Sequence, residues 1–72
     1  MRLKFLDVFQ ENNDGSLTPK RQIIVNGLSF GPGVIFQKGV ALGGVDFYLY
    51  KYWDISADEK EGVLDIKGFY QQ

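Results

Sequence analysis

Apolar and polar residues alternate with a period of two through most of this chain, the spacing of a strand with one face buried. The pattern is densest between Gly27 and Phe47, where GLSFGPGVIFQKGVALGGVDF divides into units that each open on glycine. These units are Gly27-Leu28-Ser29-Phe30, Gly33-Val34-Ile35-Phe36, Gly39-Val40-Ala41-Leu42 and Gly44-Val45-Asp46-Phe47. In each, an apolar residue follows the glycine and another comes two positions later, which predicts very short strands joined by tight glycine turns. Ahead of that run, residues Arg2 to Phe9 predict a strand with Leu3, Phe5 and Phe9 on one face and Leu6 and Val8 on the other. Leu3, Leu6 and Phe9 also recur at i, i+3, but the segment is short and stops at a strong turn signal, which favours the strand.

That signal is Glu11-Asn12-Asn13-Asp14-Gly15-Ser16, with a polar loop after it as far as Pro19. Gln22 to Val25 is β-branched and closes on Asn26-Gly27, the strongest two-residue hairpin signal. The longest predicted strand, Val45 to Ile55, sets Val45, Phe47, Leu49, Lys51 and Trp53 against Asp46, Tyr48, Tyr50, Tyr52 and Asp54. Ser56 to Gly62 reads as a polar loop or one helical turn with Ser56 as N-cap and Glu59 completing a capping box. Val63 to Tyr70 is the last predicted strand, with Leu64 and Ile66 opposite Val63 and Phe69.

The expected architecture is a single all-β domain over residues 1–72. It is a small barrel or roll of six to seven short strands, with at most one helical turn near 56–61. Its expected core is Phe5, Ile24, Phe30, Phe36, Leu42, Phe47, Leu49, Leu64 and Ile66, with Trp53 at the margin. Seventy-two residues with neither cysteine nor histidine have no disulfide and no zinc ligand set to lean on. Stability then has to come from a dense aromatic core, which six Phe, four Tyr and one Trp allow, or from association of copies.

The formal charge of −1, with basic residues scattered, argues against a nucleic-acid module. No segment has the apolar length of a membrane span, and Asp7 interrupts the stretch where a signal peptide needs its apolar run. A cytoplasmic location is expected by default.

Asn12-Asn13-Asp14-Gly15-Ser16-Leu17 resembles the middle of an EF-hand calcium loop, with Asn12 and Asp14 at ligand positions and Leu17 at the usual aliphatic one. The ends depart from it: Gln10 stands where the first aspartate belongs and Arg21 where the bidentate glutamate belongs. The glycine-led hexads resemble those of left-handed β-helix enzymes over about twenty residues. There the aliphatic residue precedes the small one, the acetyltransferases of that family need a histidine, and one coil cannot bury its own face. Neither resemblance covers the chain, and the glycines form no phosphate-binding motif.

Tyr48, Tyr50 and Tyr52, at spacing two, are the candidate binding surface, an amphipathic stripe suited to a protein interface or a sugar ring. Its alternative is packing against a cross-strand neighbour. For catalysis, Asp46 and Asp54 on one strand would stand about 27 Å apart at about 3.3 Å per residue, beyond the reach of paired-carboxylate chemistry. Four hydroxyl residues, Ser16, Thr18, Ser29 and Ser56, have no histidine to activate them. The expectation is a non-catalytic module, without cofactor, that associates with itself or with another protein. The alternative is a small ligand-binding domain, for carbohydrate or for a weakly held metal ion at the 10–18 loop.

Overall fold

A computed structural model describes residues 1–71. Among the described residues seven strands run in the order β1 (Arg2–Leu3), β2 (Phe9–Glu11), β3 (Leu17–Pro19), β4 (Ile23–Val25), β5 (Leu28–Phe30), β6 (Asp54–Lys60) and β7 (Val63–Tyr70). A single helical turn, α1 (Phe5–Val8), and a 3-10 turn, Phe47–Tyr50, complete the elements. Five strands form a sheet in the order β1-β6-β7-β4-β5, and β2 pairs with β3 in a separate ribbon. The chain is all-β, as its alternation predicts. The sheet does not close into a barrel: β1 and β5 stand at its two edges, leaving an open roll.

Two hairpins carry the sheet. At Asn26-Gly27 both turn residues have positive φ (50° and 83°), the mirror-image turn whose twist matches that of its strands. Glu61-Gly62 repeats the geometry at φ 54° and 81° between β6 and β7. Ser56 to Lys60 is therefore strand and not the loop or helical turn its polarity predicts. Its acidic residues face solvent while Ile55 and Ala57 face the core. Parallel pairing of β7 with β4, Leu64 opposite Ile23 and Ile66 opposite Val25, joins the two hairpins.

A bulge corrects the phase of β7. Ser56 pairs with Gly68 but Ala57 pairs with Ile66, so Lys67 is an extra residue. Simple alternation puts Phe69 on the face opposite Leu64 and Ile66. The extra residue returns it to the core side, where it packs against Phe47 at 5.7 Å.

The amino-terminal segment also departs from alternation. A strand through residues 2–9 would align Phe5, Asp7 and Phe9 on one face and draw a carboxylate into the core. Instead α1 turns the chain so that Phe5, Val8 and Phe9 are buried and Leu6 and Asp7 face water. The polar loop expected before Pro19 is also shorter than its composition suggests, because Leu17–Pro19 pairs with β2.

Of the four glycine-led units, only Leu28–Phe30 becomes a strand. Phe36 is fixed by a two-way main-chain bridge to Leu17 (2.9 and 3.0 Å), and Leu42 by one to Val45 (2.8 and 3.0 Å). The rest is turn. Gly43 is required by crowding, since a Cβ there would meet Val25 O at 2.6 Å and φ is 59°.

The core lies between the inner face of the sheet and a layer made by α1, the ribbon and the 31–50 segment. Phe9 is its hub, with ring centroids 5.0 Å from Phe5, 5.9 Å from Phe36 and 4.9 Å from Phe47. Phe5, Phe36, Leu42, Phe47, Leu64 and Ile66 are buried as predicted. Ile24 and Phe30 are only half-buried, and Leu49 is 70% exposed. Val8, Phe9, Leu17, Ile23, Val25, Ile55 and Ala57 take up the remaining interior.

Candidate functional site

The Val45–Ile55 strand, and with it the tyrosine stripe, does not form. Asp46 ends the extended chain: its Oδ1 accepts from Tyr48 N–H at 3.0 Å and its carbonyl from Leu49 N–H at 3.1 Å, an N-cap arrangement that starts the 3-10 turn. Tyr52 takes φ 70°, an unusual conformation for a large side chain, and turns the chain into β6 at Asp54. The 3-10 turn thus replaces strand spacing over Phe47–Tyr50, and the chain leaves it at Lys51 (φ −57°, ψ 129°). Tyr48 and Tyr52 both come to lie against Lys51, while Tyr50 turns to Phe69.

Lys51 stands between the first two tyrosines, its ammonium 5.4 Å from the Tyr48 ring centre and 5.2 Å from that of Tyr52. The same ammonium pairs with Glu11 of β2, and Tyr52 O–H donates to Glu11 Oε1 at 2.8 Å. The hydrogen bonds from Lys51 and then Tyr52 hold the Glu11 carboxyl below its ordinary range, and Glu11 in turn raises the Lys51 ammonium. Tyr50 instead lies flat on Phe69, 4.3 Å between centroids and 4° between planes, with Trp53 edge-on at 5.2 Å. Tyr48 and Tyr50 are half-buried and anchored, and Phe47 beneath them is fully buried. Leu49, at the turn's apex, faces solvent.

Two hollows flank this segment. One, of about 340 Å³, is lined by Asp14, Ser16, Gln37, Lys38, Tyr48 and Lys51, and so joins the 10–18 loop to one tyrosine of the predicted stripe. The other, of about 260 Å³, is lined by Lys4, Phe5, Leu6, Tyr52 and Asp54. Leu6 and Tyr52 on its wall are 46% and 49% exposed.

The candidate ligands of the 10–18 loop, Asn12 and Asp14, bond within the loop. Asn12 Nδ2 donates to Ser16 Oγ (3.0 Å) and Thr18 Oγ1 (2.9 Å), while Asn12 Oδ1 accepts from Gln10 Nε2 at 2.9 Å. Asp14 Oδ1 accepts from both the hydroxyl (2.6 Å) and the amide (3.0 Å) of Ser16, which lowers its pKa. These are the bonds of an Asx turn. Among the described residues, no three metal-ligating side chains come together. Asp46 is a cap and Asp54 accepts from Arg2 Nε at 2.8 Å, so the carboxylates considered for catalysis belong to separate structural contacts.

The participation of Glu11, Lys51 and Leu49 is not visible in alternation. The local signal that could have found the turn is Asp46, an aspartate cap two residues ahead of Tyr48. No family model, curated protein or solved structure matches this chain. Among the described residues no helix is long and apolar enough to cross a membrane.

Proposed function

We propose that this chain is a non-catalytic module that associates with further copies of itself through the 47–53 segment. The observation that carries the reading is Leu49, a large apolar side chain 70% exposed at the apex of a turn whose neighbours are held in place. Such a pre-ordered knob loses little freedom on docking. The chain also carries a hollow to receive a knob of this kind, walled by Phe5, Leu6 and Tyr52 and rimmed by Lys4 and Asp54. Sheet edges add little. β1 and β5 are two and three residues long, too short to template an added strand. The exposed area of 4405 Å² is close to that of an ordinary 8.2 kDa monomer, about 4,500 Å². Association therefore joins finished domains and does not complete a missing core.

Sedimentation velocity over a dilution series tests this. The wild type should show a mass that grows with concentration. Leu49→Asp and Leu6→Asp should each remain at 8.2 kDa with unchanged thermal melts. A wild-type mass fixed at 8.2 kDa across the series removes self-association.

A second reading, a small saccharide-binding domain, is favoured by one observation. The 340 Å³ hollow brings the Tyr48 ring beside Asp14, Gln37 and Lys38, an aromatic surface with polar groups around it. Chemical-shift changes confined to these residues on titration with oligosaccharides would support it over association. Both readings carry a cytoplasmic site of action, which cell fractionation tests.

A further inference from the structure

Asn26 precedes glycine in an exposed two-residue turn, and its side-chain amide is also a structural clamp. Asn26 Nδ2 donates to Gly43 O at 2.7 Å, tying the first hairpin to the 42–45 turn. That second turn is seated closely: a Cβ at position 43 would stand only 2.6 Å from Val25 O. Gly27 N–H lies at the tip of the hairpin, outside the paired residues of β4 and β5. Gly27 has no Cβ to obstruct attack on the preceding side chain.

We propose that Asn26 is a site of spontaneous deamidation that releases this clamp. The step needs only water. When the hairpin tip opens locally, Gly27 N gives up its proton to solvent base and attacks Asn26 Cγ. The tetrahedral intermediate expels the side-chain nitrogen as ammonia, leaving a five-membered succinimide. Water then opens the ring at either carbonyl, giving aspartate or isoaspartate at position 26. In both products the donor to Gly43 O is gone and a carboxylate replaces it. In the aspartate product a carboxylate oxygen faces a carbonyl oxygen, which is repulsive. The 42–45 turn then keeps its own Leu42–Val45 bridge but loses its tie to the hairpin. This chemistry is independent of what the 47–53 segment binds.

The chain supplies its own control. Tryptic cleavage gives a peptide of residues 22–38 whose only asparagine is Asn26, and one of residues 5–20 that carries Asn12 and Asn13. Native protein held at mildly alkaline pH should gain one mass unit in the first peptide before the second, with isoaspartate present. Amide exchange at Leu42 and Val45 should quicken in the aged sample and in fresh Asn26→Asp. Three results would overturn the proposal. One is a mass gain led by the 5–20 peptide. Another is no gain at residue 26 in native protein when the urea-unfolded chain does gain it. The third is Asn26→Asp with unaltered exchange at Leu42 and Val45.

Discussion

Phe47 and Leu49 lie two apart, and a strand through them would bury both or neither. The 3-10 turn separates them: Phe47 has 0% exposure and Leu49 70%. Phe47 touches the rings of Phe9, Phe36 and Phe69 at centroid distances of 4.9, 5.9 and 5.7 Å. Truncation to alanine there is expected to cost about 3–5 kcal/mol. A domain of this length holds only about 4–11 kcal/mol in total, so that variant is at the edge of folding. Phe47→Leu keeps most of the volume and gives up the aromatic contacts, at a cost of about 1–2 kcal/mol. Leu49 has less than a third of its surface at stake, so Leu49→Ala should cost under about 1 kcal/mol of the ~2–3 a fully buried leucine supplies. In urea, with a slope near ~1 kcal/mol per molar, the midpoint should fall by about 1–2 M for Phe47→Leu and by under about 1 M for Leu49→Ala. The measurement belongs at low protein concentration, where association adds nothing to stability. If Leu49→Ala lowers the midpoint as far as Phe47→Leu does, Leu49 is core and the turn described for residues 47–50 is wrong.

Gly43→Ala should lower the thermal midpoint more than Gly44→Ala. Both residues have positive φ, but only at position 43 would the new methyl meet backbone, which places its cost above the about 1–2 kcal/mol of left-handed strain alone. The Glu11–Lys51 contact should fail at both extremes of pH. The folded Glu11 carboxyl titrates below its ordinary value, so its contribution is complete above that value and is lost as pH falls through the depressed one. Lys51 is shifted upward, so its contribution is complete below its ordinary value and is lost as pH rises through the raised one. Melts of wild type and Glu11→Gln should therefore differ at neutral pH and converge well below about pH 4. A difference that persists in acid assigns Glu11 some other role.

Much of the fold was legible because a few residues dictate local geometry without help. Asn26-Gly27 specifies a turn wherever it falls between β-branched residues, and Leu64 and Ile66 read correctly as one buried face. Several of the errors share one cause. Alternation assumes an unbroken strand, and three features break it: the Lys67 bulge, the turn at Phe5–Val8 and the Asp46 cap. Each shifts the phase of the residues beyond it, moving Phe69 inward, Asp7 outward, and parting Tyr50 from Tyr48 and Tyr52.

Local chemistry along the chain was enough to set the all-β class, the placing of most reversals and the reliance on phenylalanine in the absence of cysteine and histidine. These depend on backbone preferences and side-chain polarity, which act over a few residues. Which apolar residues enter the core, and which side chains gather around Lys51, was settled by packing between distant segments. The 3-10 turn holds because Tyr50 finds Phe69 and Lys51 finds Glu11, partners 19 and 40 positions away in the chain. Contacts at that separation carry no local periodicity, so no window of the sequence contains them.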